Sequence, residues 1–192
     1  MILYGKPGIG KTSIANAIVN DLGVKYRFLN ATINNKKDFD IVIEEAKMYD
    51  GLVLIMDEIH RLNKDKQDLL LPQLESGLIT LIGMTTSNPY HAINPAIRSR
   101  CQLFELKELS ESDIIKGINR AIKHPDLNGV KIDKKAISLI AKLSGNDLRY
   151  AYNLLEIAFY STTDKVITED VIKSINNRPV FFSDKNGEGH YD

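Results

Sequence analysis

The chain has 192 residues, 43% hydrophobic and 26% charged, with 25 basic residues balanced by 25 acidic ones. That suits one domain, or a larger lobe with a smaller one, and no overall basic excess points to nucleic acid, although a local patch stays open. One cysteine excludes an internal disulfide and a multi-cysteine zinc site; no apolar run approaches the ~20 residues that span a bilayer, and nothing at the start resembles a secretory signal, so the expected setting is the cytoplasm.

The first apolar run, Ile2-Leu3-Tyr4, predicts a short strand. It leads directly into "GKPGIGKTS" and then into a helical pattern over residues 11–22. Further strand-like runs lie at residues 26–29, 52–56, 79–83 and 101–106. The run at 52–56 is continuously apolar, as expected of a strand covered on both faces. Helical patterns at residues 37–49 and 65–75 separate the runs. Alternating strands and helices predict a parallel sheet flanked by helices.

After Leu109 no convincing strand follows. Ser110 to Asp113 reads as a capping box opening a helix to about Lys123. Residues 124–130 form a polar loop. Asp133 is expected to cap a helix that Gly145 ends; others run over residues 147–160 and 168–176. The predicted architecture is α/β: a five-stranded parallel-sheet core at 1–109, a small all-helical lobe at 110–177, and a linker at 178–192.

The opening stretch fits G-x-x-x-x-G-K-[ST] in full. Gly5, Gly8 and Gly10 let backbone N–H groups approach an anion without intervening Cβ atoms. The following helix presents its positive end to the same anion. Gly5, Lys6, Pro7, Gly8, Ile9, Gly10, Lys11, Thr12 and Ser13 are therefore the expected ATP-binding loop. Lys11 reaches the β- and γ-phosphates and the Thr12 hydroxyl binds Mg²⁺.

Asp57 and Glu58 follow a buried strand, which delivers both carboxylates to the carboxyl edge where open α/β sheets bind ligands. Asp57 is the expected metal ligand, and Glu58 the group that orients or deprotonates water attacking the γ-phosphate. Asn88, after the next strand, offers an amide to the γ-phosphate or the water, but Ser87-Asn88-Pro89 is equally an ordinary turn. Arg98 and Arg100 read either as a solvated turn or as a guanidinium supplied to a neighbouring subunit's phosphate. Cys101 reads as a small, buried residue. Arg149, in the first turn of its helix, is disfavoured by the macrodipole; Asp147 or a nearby anion would offset this. His60, Arg61, Lys64 and Lys66 read as the exposed start of a helix, and one His beside carboxylates is not a metal site.

In order and spacing, Gly5 to Thr12, Asp57-Glu58, Asn88, Arg100 and Arg149 resemble the Walker A, Walker B, sensor 1, arginine finger and sensor 2 of AAA+ ATPases. The stretch "DEIHRLNKDKQDLLLPQLESGLITLIGMTTSNPYHAINPAIRSR", with "SGNDLRYAYNLLE" and "DKNGEGHYD", is similar to the RarA family (replication-associated recombination protein A, also called MgsA). Ser99-Arg100-Cys101 also resembles clamp-loader subunits.

The resemblance implies Mg²⁺-dependent ATP hydrolysis coupled to work on DNA at stalled forks and gaps. It implies single-strand DNA-binding protein as a partner and a homo-oligomer in which Arg100 reaches a neighbour's nucleotide. By analogy, Asn30 would restrain Glu58. The resemblance also implies a fragment, lacking an N-terminal adenine-holding segment and a C-terminal oligomerisation region, and hence a monomer with weak turnover. Lys6 stands where the family usually has proline. A non-catalytic nucleotide-dependent assembly subunit is the alternative, against which Glu58 argues; a small-molecule P-loop kinase is a third reading, against which the helical lobe and Arg149 speak.

Overall fold

A computed structural model describes residues 1–176; the linker expected at 178–192 lies outside the described residues. The chain divides into two compact units. The first takes Met1–Ser110 together with Asn146–Arg149, and the second takes Glu111–Gly145 with the described residues from Tyr150 onward.

In the first unit five parallel strands form one sheet: β1 (Ile2–Tyr4), β2 (Tyr26–Asn30), β3 (Leu52–Asp57), β4 (Ile79–Thr85) and β5 (Leu103–Glu105). Their spatial order is β2-β3-β4-β1-β5. The helices are α1 (Lys11–Leu22), α2 (Lys36–Met48), α3 (Lys64–Glu75) and the short α4 (Pro89–Ala92) and α5 (Pro95–Arg98).

Side chains alternate across a strand, so consecutive apolar residues must find cover on opposite faces. They do. Ile2, Leu54, Met56 and Leu81 pack with Phe39, Val42, Ile43 and Ala46 of α2 and Leu70 of α3. Leu3, Ile55, Ile82 and Met84 pack with Ala15 and Val19 of α1. The register pairs Leu3 with Met84 and Ile55 with Ile82, so the second cluster is a continuous stripe across three strands.

Helix starts follow from side-chain chemistry. The Asn35 side chain accepts from the Lys37 N–H while Asp38 accepts from the Asn35 N–H, a reciprocal cap on α2. Asn63 caps α3 by accepting from the Lys66 N–H. Cys101 is partly buried against the first core cluster.

The second unit contains α6 (Glu111–Ala121), α7 (Lys134–Leu143), most of α8 (Leu148–Ser161) and α9 (Glu169–Asn176). It is not all-helical. The strands β6 (Lys131–Ile132) and β7 (Val166–Ile167) pair in parallel, joined by Lys131 N–H to Lys165 O at 2.9 Å and Asp133 N–H to Ile167 O at 3.0 Å. Two residues are too few to show an alternating pattern, so no periodicity signalled them. Asp133 precedes α7 as expected, but its side chain makes no cap hydrogen bond. Ile114, Ile118, Ile140, Leu155, Ile167 and Ile172 supply the buried apolar side chains of this unit.

Candidate active site: a phosphate loop beside an acidic turn

β1 ends at Tyr4 and the loop Gly5–Gly10 carries the chain into α1. Gly5, Gly8 and Gly10 all have positive φ, and Gly10 is the N-cap of α1 at φ 97°. At Gly8 glycine is required twice over. Its φ is +69°, and an added Cβ would lie 1.9 Å from the Asp147 Oδ1. Asp147 therefore rests on the loop, and the next residue's N–H, on Leu148, donates to Gly8 O at 3.3 Å. The Asp147 Oδ1 also accepts from the Arg149 N–H at 2.8 Å, which starts α8 and holds Arg149 beside the loop.

Lys11 is buried, with its ammonium donating to Gly5 O at 2.8 Å and Lys6 O at 2.7 Å. Burial pushes its pKa below the ordinary lysine value; the negative charges of Asp57 and Glu58 oppose that shift, Arg149 adds to it and Asp147 opposes it. The sequence-predicted residues Lys11, Asp57, Glu58 and Arg149 are thus one electrostatic neighbourhood. Thr12 is half-buried in the first turn of α1 and Ser13 is exposed. Lys6 points outward and pairs with Glu108 at 2.7 Å. Pro7 is exposed and Ile9 is buried.

Asp57 is the last residue of β3, and its Oδ1 accepts from the Glu58 N–H at 2.9 Å. Glu58 itself has φ 51° and ψ 39°, the left-handed region, where a non-glycine residue is strained by roughly 1–3 kcal/mol. A 3₁₀ turn, Ile59–Arg61, follows. His60 in this turn is not an exposed helix residue, as its surroundings in sequence suggested. Its side chain is only 12% exposed, with Nδ1 3.3 Å from Glu58 Oε2 and 2.9 Å from Thr85 Oγ1. The sequence signal for it was slight: a histidine two residues past a catalytic-type carboxylate. Asn30 pairs in register with Asp57, but its side-chain oxygen accepts from Thr32 N–H and the Thr32 hydroxyl instead of restraining Glu58.

Asn88 caps α4, its Oδ1 accepting from the Tyr90 N–H at 3.0 Å. The two arginines differ. Arg98 is half-buried, donates to Tyr90 O and, at 3.4 Å, to Pro89 O, and stacks over the Tyr90 ring. Arg100 is exposed, pairs with Glu75 and donates to Ala96 O at 2.6 Å.

Among the described residues no three or more His, Cys, Asp or Glu side chains gather into a metal cage. The Thr12 hydroxyl in the first turn of α1 and the Asp57 carboxylate at the end of β3 are oxygen donors of the kind a hard cation takes. That sparse oxygen set fits Mg²⁺, which takes one or two protein ligands and completes its octahedron with phosphates and waters.

Residues 1–109 match the ATPase family associated with various cellular activities (AAA), and residues 126–192 match the AAA C-terminal domain. The chain belongs to the AAA family of ATPases. Within this AAA ATPase group, the chain is 50% identical to replication-associated recombination protein A of Bacillus subtilis, over all of the chain and 48% of that protein. It is 33% identical to ATPase WRNIP1 of Dictyostelium discoideum, over all of the chain and 25% of that protein. The chain spans about half the length, or less, of these relatives. Among solved structures, the Thermotoga maritima RuvB Holliday junction branch migration motor superposes with a TM-score of 0.76 at 28% identity, covering 90% of this chain and 59% of that one. The resemblance to RarA-type AAA+ ATPases read from the motifs therefore holds over the whole chain.

Proposed function

We propose that this chain is the ATP-binding and ATP-hydrolysing core of a protein that works on DNA at stalled replication forks or gaps. The observation that carries the reading is the pairing of a backbone-lined loop with a strained acidic turn at one sheet edge, with Lys11 feeling both Asp57 and Glu58.

The loop amides from Gly5 to Ser13 cradle the phosphates, and the Lys11 ammonium exchanges its two carbonyl partners for β- and γ-phosphate oxygens. Thr12 and Asp57 hold Mg²⁺, which, when bound, neutralises charge developing on the phosphate oxygens. Glu58 orients the attacking water and takes its proton. Asn88 hydrogen-bonds that water or the γ-phosphate. Arg149, kept at the loop by Asp147, contacts the same phosphate. Arg100 is the cation offered to a neighbouring copy: it is exposed and would exchange its Glu75 pairing for phosphate, while Arg98 is half-buried and tied to Pro89 and Tyr90.

The relatives' names support replication and recombination as the setting. A homo-oligomer, single-strand DNA-binding protein as a partner, and a cytoplasmic, nucleoid-associated location complete the proposal, with residues 1–109 as the core and 110–177 as the helical domain.

Two substitutions test the reading together. Lys11→Ala is expected to abolish nucleotide binding, and Glu58→Gln to bind Mg-ATP with near wild-type affinity while turnover falls by ~10²-fold or more. Wild-type turnover by Glu58→Gln sinks the role of Glu58, whereas binding of Mg-ATP with no turnover in the unsubstituted protein favours a nucleotide-dependent assembly subunit.

A further inference from the structure

Glu58 carries a backbone strain that its surroundings must hold; its carbonyl accepts from the Arg61 N–H at 2.7 Å, which ties it to the turn that follows. The 3₁₀ turn Ile59–Arg61 after it is pinned at two points on β4. Ile59 is 2% exposed and its Cδ1 lies over Gly83, where an added Cβ would come within 2.8 Å of it. One residue further on, His60 reaches Thr85, the last residue of the same strand.

Thr85 is 1% exposed and joins three loops. Its carbonyl accepts from the Gly5 N–H at 3.3 Å, the first amide of the phosphate loop. Its hydroxyl accepts from the Ser87 N–H at 3.0 Å, in the loop that ends at Asn88. The same hydroxyl lies 2.9 Å from His60 Nδ1, which is 3.3 Å from Glu58 Oε2. An ionised carboxylate only accepts, so the link to Glu58 requires a proton on His60 Nδ1. With that proton in place, Nδ1 faces Thr85 Oγ1 at hydrogen-bond distance and lies in ion-pair contact with Glu58 Oε2, and the Thr85 hydroxyl proton turns to Ser87 O, 3.5 Å away.

We propose that His60 and Thr85 are a positioning pair for Glu58, with the His60 Nδ1–H clamping the carboxylate to the end of β4 and thereby to the phosphate loop and the Asn88 loop. The proposal rests on Glu58 being the residue that readies water. The pair acts through Glu58: it sets where the Glu58 oxygens stand. Misplacing a reacting group by about 1 Å costs on the order of 10²-fold in rate, so a clamp of this kind is felt in turnover and not in nucleotide affinity.

The test compares His60→Ala, His60→Asn, Thr85→Val and Thr85→Ser with Glu58→Gln, reading kcat for Mg-ATP and Kd for Mg-ADP. His60→Ala and Thr85→Val are expected to lower kcat at least ~10-fold with Kd within about twofold of wild type. His60→Asn, whose amide nitrogen falls near the Nδ1 position, and Thr85→Ser are expected to recover most of the loss. Imidazole ¹⁵N spectra of the wild-type protein are expected to show a proton on His60 Nδ1. An unchanged or raised kcat in His60→Ala overturns the proposal, as does an Nδ1 without a proton, or a Kd that rises in step with the fall in kcat. Wild-type kcat in Glu58→Gln instead overturns the reading of Glu58 on which the pair depends, so the two failures are distinct.

Discussion

The phosphate loop and the acidic turn both use left-handed backbone, and they differ in who supplies it. In the loop, Gly5, Gly8 and Gly10 adopt positive φ as glycines, with little steric cost. In the turn, Glu58 adopts φ 51° with a full side chain, and the conformation is held by its neighbours: the Asp57 carboxylate on its N–H, Ile59 buried beneath and His60 on its carboxylate. A loop that binds through amides can be made of residues without side chains. A turn that must present a carboxylate cannot, so its strain is offset by packing and hydrogen bonds around it.

Substitutions that exchange the two strategies should break this contrast. Gly8→Val has the largest expected effect. Its Cβ meets the Asp147 carboxylate and its φ is unsuited to a branched residue, so nucleotide affinity should fall roughly 100-fold or more by calorimetry, about 2.8 kcal/mol. Affinity within threefold of wild type would show that Asp147 yields freely. Glu58→Gly is expected to act oppositely on the fold. Removing the left-handed strain should stabilise the protein by about 1 kcal/mol, raising Tm by roughly 2–4 °C, while turnover is lost. A lowered Tm would mean that the clamp on Glu58 outweighs the strain. Smallest is Lys6→Ala, which removes a pair exposed on both sides; thermal melts should shift by less than about 2 °C, and less still in high salt.

The same contrast explains what could be read in advance. Residues that act by type and spacing were legible: Gly5 to Thr12 as a loop, and the continuous apolar run of β3 as a doubly covered strand that leaves Asp57 and Glu58 at the edge. Residues that act through long-range contacts were not. His60 meets Thr85, 25 positions away, and Asp147 owes its place on Gly8 to a fold that returns the chain to the loop after a whole second unit begins. Asn30 has the right register but spends its side chain on Thr32, a local Asx-type bond that sequence position alone does not reveal. The pair β6 and β7 fell below the length at which alternation is visible.

The central claim is that the loop from Gly5 to Ser13 grips a triphosphate through its amides and Lys11. Titrating Mg-ATP into the Glu58→Gln protein by calorimetry addresses it directly, since the ligand then survives the experiment. The account predicts saturable binding of one nucleotide per chain that disappears when Lys11→Ala is added. Absence of heat at millimolar nucleotide, or unchanged binding in the Lys11→Ala background, would contradict it.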